Sequence, residues 1–276
     1  KDCLVVVKST VPIGTNDKVE QFIKDSLVHN VKIEVASNPE FLAQGHAVRD
    51  TLHAKRIIIG TESKEAEAIL KKIYEPFNLP IVSVNRRSAE MIKYASNDFL
   101  ALKISYMNDI ANLCELVGAD IEDVAKGMSY DDRIGASFLH AGIGYGGSCF
   151  PKDTKALKYL AKQHGYRLRT VEAAVDVNAE QKTQLMAKVE STIYDWVNET
   201  NGILVKADRD TYVYVFEQKN LEKIKEEKFA ILDSIKNLVR KDKIQLTLSI
   251  AISNEGETER DVYKSASAAM DVILGR

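Results

Sequence analysis

Short apolar runs rich in β-branched residues alternate with helical patterns from Leu4 to Val84, and no other feature restricts the fold as much. Leu4-Val5-Val6-Val7 reads as a buried strand. A helix over about Asp17–Leu27 follows, with Val19, Phe22, Ile23 and Leu27 on one stripe. Next come a strand at Val31–Ser37, a loop and short helix through Asn38–Ala47, and a strand at Arg56–Gly60. A helix at Lys64–Tyr74 and a strand at Pro80–Val84 complete the series. This order predicts an α/β fold with a parallel sheet covered by helices.

Ser88–Leu116 carries one long helical pattern, closed by Gly118 as a C′ residue. At ~1.5 Å per residue it would run ~43 Å, more than a small domain needs, as in helices that bridge lobes or subunits. A short helix at about Ile121–Met128 leads to a glycine-rich stretch, Gly142–Ser148. Pro151 then fits the first turn of a helix running to about His164. Past Gln181 the pattern changes to a β–β–α–β–α run. Helix Leu185–Thr200 precedes strands Ile203–Lys206 and Tyr212–Glu217, which flank a polar turn at Asp208-Arg209-Asp210. Helix Leu221–Val239, strand Gln245–Ser253 and helix Glu257–Leu274 complete it. The expected division is thus 1–87, 88–183 and 184–276.

Composition narrows the function classes. With 38 basic against 40 acidic side chains and a net charge of -2, no electrostatic footprint for nucleic acid or anionic lipid is expected. Three cysteines, Cys3, Cys114 and Cys149, are too few for a disulfide framework. The five histidines never fall at zinc-ligand spacing, so no metal is expected. With no apolar run near ~18 residues and no secretory signal, the expectation is a cytoplasmic protein without a membrane segment.

Cys149 is the leading chemical candidate. A thiol just before a helix N-terminus feels unpaired N–H groups and the positive end of the dipole, both of which favour thiolate. Lys152 adds positive charge, and Asp153 can act as a base or an orienting carboxylate. The competing reading is a buried cysteine serving as a small hydrophobe. Lys93 and Asn97 lie four apart, on one helix face. Such a pair can hold a sugar hydroxyl or an oxyanion, or simply form a solvated surface. Glu40, in Asn38-Pro39-Glu40-Phe41, is a carboxylate on a loop after a strand, either functional or an ordinary turn glutamate.

Together these stretches resemble the UDP-glucose 6-dehydrogenase family. The resemblance rests on Lys8-Ser9-Thr10-Val11-Pro12-Ile13-Gly14-Thr15, Ser37-Asn38-Pro39-Glu40-Phe41-Leu42, Lys93 with Asn97, and Gly146-Gly147-Ser148-Cys149-Phe150-Pro151-Lys152-Asp153. Arg133-Ile134-Gly135 with Phe138-Leu139 is similar to that family's substrate loop. The likeness covers about residues 1–183 and implies part of a Rossmann-type sheet, a long central helix and a helical domain. It further implies oxidation of UDP-glucose to UDP-glucuronate with NAD. Cys149 would form a thiohemiacetal and then a thioester. Lys93 would hold the oxyanion and Asn97 the sugar, while Asp153, Glu40 and Thr10 would handle protons and water. Ser9, Thr10 and Lys152 would lie near the cofactor, and Phe41, Leu42, Arg133, Tyr145 and Gly146 near the substrate. A homodimer through helix 88–116 is the expected assembly. No G-x-G-x-x-G opens the chain, and the family's UDP-binding domain is not matched, so both nucleotide clamps are expected to be incomplete.

From about Gln184 the sequence resembles the degenerate GGDEF-type domain of cyclic-di-AMP phosphodiesterases. The similar stretches are Ile203–Gln218, Lys228–Asp233, Leu246–Ile250 and Ala268–Arg276. This implies a smaller α+β domain and a composite chain joined near Lys182–Met186. The alternative function is therefore a non-catalytic nucleotide-binding or regulatory module at 184–276, its signature turn at Asp208–Tyr212 lacking both glycines.

Overall fold

A computed structural model describes residues 2–42, 45–199, 202–208, 210–238, 247–254 and 256–274. It divides into two compact units, one up to Asn178 and one from Ala179.

The first unit opens with β1 (Cys3–Val7), α1 (Thr15–Ser26), β2 (Ile33–Ser37), α2 (Ala47–Leu52), β3 (Ile57–Gly60), α3 (Lys64–Tyr74) and β4 (Ile81–Val84). These strands form one sheet in the order β1-β2-β3-β4. The β1–β2 and β3–β4 pairs are parallel, as the alternation requires, because each is joined by a crossover helix. Between them β2 and β3 meet antiparallel at Ser37 opposite Gly60. β3, Ile57-Ile58-Ile59-Gly60, is buried throughout. With Ala36, Ile57, Ile59 and Leu70 at its centre, the sheet core also takes in Leu4, Val6, Tyr74 and Ile81.

Two local expectations change here. The short helix expected through Asn38–Ala47 is found at Ala47–Leu52 instead; Ala43 and Gln44 of that stretch lie outside the described residues. On α1 the stripe is not buried as a whole: Phe22 is 72% exposed and Leu27 lies past the helix end, while Asn16 is the residue fully buried. Glu90 is the reason. It is itself buried and accepts from the Gly14 amide at 2.5 Å, the Asn16 amide at 2.9 Å and the Asn16 side chain at 2.6 Å. The first turn of α1 is thereby anchored by a polar cap, its orphan donors satisfied from another helix.

That other helix is α4 (Arg86–Val117), begun by Asn85, whose side chain accepts from the Ser88 amide, and ended by Gly118 in the left-handed conformation. α4 starts hard against β3. A Cβ on Gly60 would stand 2.4 Å from the Ala89 Cβ, so only glycine permits the approach. α5 (Ile121–Ser129), α6 (Phe150–Gln163) and the first part of α7 (Arg169–Asn198) follow. Met107, Cys114, Ile121, Ala125 and Leu139 form the second core of this unit.

The long helix α7 runs through the division between units, so the helix expected from Leu185 has no separate start; Thr200 of that expectation lies outside the described residues. In the second unit its later residues Val189, Ile193 and Val197 pack with Ile231 and Ile235. β5 (Ile203–Asp208) and β6 (Thr211–Val215) form an antiparallel hairpin that closes at Asp208 opposite Thr211; Arg209 of the expected turn lies outside the described residues. The helix expected over Leu221–Val239 is two helices, α8 (Gln218–Glu226) and α9 (Ala230–Asn237). Lys228 and Phe229 break it at φ 52° and 55°, and Val239 lies outside the described residues. The bend lets Ile224 of one helix and Ile231 and Ile235 of the next all be buried, and core packing outweighs helix propensity. Of the strand expected at Gln245–Ser253, residues 245 and 246 lie outside the described residues, and Thr247–Ser253 carry no strand pairing among those described. α10 (Glu259–Ile273) completes the unit, capped by Thr258.

Candidate active site

The sequence places Cys149 at the start of a helix, and the structure makes it the N-cap residue of α6. Its carbonyl accepts from the Asp153 amide at 2.9 Å, and Pro151 sits in the first turn, where its missing N–H is no loss. The thiol is free and exposed, with the Ser148 hydroxyl 3.8 Å from the sulfur. The reading of Cys149 as a buried hydrophobe does not describe it; Cys114 is the buried one.

One turn into α6, Asp153 is 1% exposed. A carboxylate so buried needs donors, and it has two: Asn97 gives its side-chain N–H at 2.7 Å and the Lys152 ammonium bonds the other oxygen at 2.5 Å. Burial works to lower the pKa of Lys152, but the bond and charge of Asp153 outweigh it and hold the ammonium above its ordinary value. Asp98, next to Asn97, is also buried, and burial followed by the charge of Asp153 pushes its carboxyl up to about 7. Tyr94, a turn earlier, is raised by burial and then by the same charge.

Lys93 lies one turn before Asn97 on α4 and is equally buried. Its ammonium stands 3.4 Å from Glu40 and 5.1 Å from the centre of the Phe41 ring, which Arg56 also covers at 4.3 Å. Glu40 accepts from the Leu42 amide at 2.8 Å, closing a turn that leaves Leu42 partly exposed. A solvated helix face does not describe Lys93 and Asn97, because neither reaches bulk water to any extent. The loop is pinned by Asn38, which accepts from Lys8 at 2.8 Å and from the Tyr74 hydroxyl, and donates to the Ile58 carbonyl at 2.7 Å. Ser9, exposed, and Thr10, half-buried, lie in the turn after β1 at the carboxyl ends of β1 and β2.

Tyr145 is buried and its ring meets Phe150 edge-on at 6.2 Å. Asn178 accepts from its amide at 2.6 Å and donates to its carbonyl at 3.2 Å. A Cβ on the preceding Gly144, at φ 97°, would stand 2.3 Å from the Asn178 oxygen. Gly146 is exposed. Arg133 is not brought to the cluster: its side chain is 90% exposed and forks onto Asp131 at 2.6 and 2.9 Å. Glu90, Asp98 and Asn178 were not singled out from sequence. For Glu90 and Asp98 the signal is spacing: Glu90, Lys93, Tyr94, Asn97, Asp98 and Ala101 share one helical face. Among the described residues no three histidine, cysteine or acidic side chains are grouped to hold a metal ion, and no helix is long and apolar enough to cross a membrane.

Comparison with known proteins gives this arrangement a family. Residues 1–78 match the NAD binding domain, and residues 87–180 the central domain, of the UDP-glucose/GDP-mannose dehydrogenase family. The chain up to residue 180 belongs to that family. The chain is similar to the UDP-glucose 6-dehydrogenase YwqF of Bacillus subtilis, 50% identical over 204 residues that make up 74% of this chain and 46% of the relative. TuaD of the same organism, also a UDP-glucose 6-dehydrogenase, is 48% identical over 67% of this chain and 40% of its own length. Among solved structures, a UDP-glucose dehydrogenase from Pyrobaculum islandicum aligns with a TM-score of 0.67 and 39% identity, covering 69% of this chain and 44% of that one. The chain thus spans less than half the length of these dehydrogenases. Residues 170–276 match the GGDEF domain of the cyclic-di-AMP phosphodiesterase GdpP-like type. The two matches overlap on α7, the helix that runs through both units.

Proposed function

We propose that the site of the dehydrogenase segment serves the NAD-dependent oxidation of UDP-glucose to UDP-glucuronate, with Cys149 as the nucleophile. The observation that carries this is an exposed thiol at the N-cap of α6, one turn before buried Asp153, which bonds Lys152 on its own helix and buried Asn97 on α4, the helix that also holds Lys93. The sulfur attacks the aldehyde carbon of the half-oxidised sugar and forms a thiohemiacetal, whose oxygen bears charge that an ammonium can stabilise. Lys93, desolvated and only loosely paired at 3.4 Å, suits that task. Loss of hydride leaves a thioester, and water then cleaves the carbon–sulfur bond to give carboxylate and thiol. Asp153 orients Asn97 and Lys152 and takes the water proton, with Glu40 and Thr10 as its partners in proton handling. Phe41, Leu42, Tyr145 and Gly146 line the sugar nucleotide, and Arg133 reaches it only by leaving Asp131.

NAD supplies the hydride acceptor when bound. The residues present fit its reactive end: Ser9 and Thr10 lie at the carboxyl ends of parallel strands, where open α/β sheets bind ligands, and Lys152 stands on α6. At the start of α1 the amides of Gly14 and Asn16 are taken up by Glu90 and that of Thr15 by the Pro12 carbonyl, so these three offer no cradle for its pyrophosphate.

The test is thiol chemistry. Cys149 and Cys3 are both exposed and free, so each controls for the other. Iodoacetamide should label Cys149 faster than Cys3 at neutral pH, and UDP-glucose with NAD should slow labelling at Cys149 alone. Equal rates, with no protection, would sink the reading.

A homodimer through α4 accords with its exposed Phe99, Tyr106 and Leu113, spaced seven apart on one stripe. Sedimentation equilibrium should then give twice 30.8 kDa. For residues 184–276 the GGDEF match supports a regulatory, nucleotide-binding role. Calorimetry of the whole chain against ATP, GTP and cyclic dinucleotides tests it, and no heat with any of them would end it.

A further inference from the structure

Asp98 is the one buried carboxyl group in the described structure with nothing bonded to it. The residue is 4% exposed, and neither carboxylate oxygen has a hydrogen-bond partner among the described residues. Its neighbour in sequence, Asn97, donates to Asp153 at 2.7 Å. On Asp98's own helix Tyr94 feels its charge; from α6 Asp153, to which Lys152 is bonded, acts on it; from the loop before α6 Tyr145 also feels it. An ionised carboxylate in that place would lie near a second carboxylate, without a donor and out of water, which is the costliest arrangement of the two. Asp153 has two donors and Asp98 has none, so it is the charge of Asp98 that goes uncompensated.

We propose that Asp98 is a positioning residue that stands as the neutral acid near ionised Asp153. The buried pair then carries one negative charge against the one ammonium of Lys152, and Asp153 keeps its charge for the reaction. No bond is broken in this arrangement; a single proton is held on Asp98. When Asp98 ionises, two negative charges face one ammonium, and the electrostatic potential at the start of α6, with Cys149 at its cap, becomes more negative.

The inference rests on the proposed dehydrogenase site only for what Asp153 does, and its test needs neither NAD nor turnover. In the full chain labelled with 13C at aspartate carboxyls, one resonance should titrate near pH 7, well above the ordinary value of ~3.9, and vanish in Asp98→Asn. In parallel, the iodoacetamide labelling rate of Cys149 divided by that of Cys3 should step down through the same pH in wild type and lose that step in Asp98→Asn. If Asp98→Asn does not fold, the coincidence of the two wild-type midpoints decides. An Asp98 resonance at an ordinary carboxyl pH overturns the proposal, and so does a labelling ratio with no step near 7. A chain that passes both tests yet shows no protection of Cys149 by UDP-glucose would leave Asp98 in place and remove only the dehydrogenase reading.

Discussion

The two units share helix α7, yet they are filled with different material. Among the described residues up to Asn178 the interior holds twelve buried polar or charged side chains, from Asn16 to Asn178, among them Glu90, Lys93, Asp98 and Asp153. From Ala179 onward every buried side chain described is aliphatic, from Val189 to Ile235. The free-energy consequences differ. An aliphatic interior stabilises by removing apolar area from water, at ~25 cal/mol per Å2, and asks only for fit. A buried polar group gains little on balance and costs about 1–3 kcal/mol or more when its partner is lost. A chain that only needs to fold has no reason to assemble the second kind of interior. The concentration of such groups around the face of α4 is therefore the strongest physical pointer to chemistry in the molecule.

If the difference is real, the two interiors should break in different ways. The largest expected effect is in the second unit. Ile231→Ala opens a hole among Val189, Ile193, Val197 and Ile235, and a loss of about 3 kcal/mol is expected. Trp196, the single tryptophan of the chain, packs on that same cluster, so its fluorescence in urea reads this unit. The midpoint should fall, while hydrogen exchange in β1–β3 stays as in wild type. An equal loss of protection in β1–β3 would show that the two interiors unfold as one. A smaller effect, about 2 kcal/mol, is expected for Asn38→Ala in the first unit, where three hydrogen bonds disappear and the Ile58 carbonyl is stranded. Here the amides of Ile57–Gly60 should exchange faster with no change in the Trp196 midpoint. Unchanged exchange would mean that Asn38 is a spectator.

These contrasts also show what the sequence made legible. The sheet strands and α3 follow from apolar runs and a local cap, information contained within a dozen neighbouring residues. Cys149 at the mouth of α6, and Lys93 with Asn97 on one face, follow from spacing in the same way. What escaped depends on partners far along the chain. Asp98 looks like any acid on a helix surface until α6, more than fifty residues later, covers it. Gly144 needs Asn178 to explain why no side chain fits there. Arg133, attractive as a substrate ligand, spends its charge on Asp131 two residues away. At Lys228-Phe229 a lysine- and glutamate-rich stretch that reads as one helix turns sharply, because Ile224, Ile231 and Ile235 must all be buried.

The smallest effect belongs to an exposed pair and sharpens the comparison through pH. On α7 Glu190 accepts from the Lys206 ammonium and, at 2.9 Å, from the Tyr212 hydroxyl, both on the hairpin. The bond to Lys206, then that to Tyr212, lowers its pKa. A carboxyl whose folded value is depressed stabilises the fold above its ordinary ~4.3, and that contribution is lost as pH falls through the lower folded value. The second unit should therefore weaken on acidification, and Glu190→Gln should flatten the fall of the Trp196 midpoint between about pH 5 and pH 3. The pair is open to solvent, so the change should be smaller than either core substitution. Asp98 works in the opposite sense. Its folded value is raised to about 7, so its part in stability is present below the ordinary value of ~3.9 and is lost as pH rises toward 7. One unit should thus lose stability toward acid and the other toward neutrality, and a Glu190→Gln chain with the wild-type acid slope would show that the hairpin pair contributes nothing to that contrast.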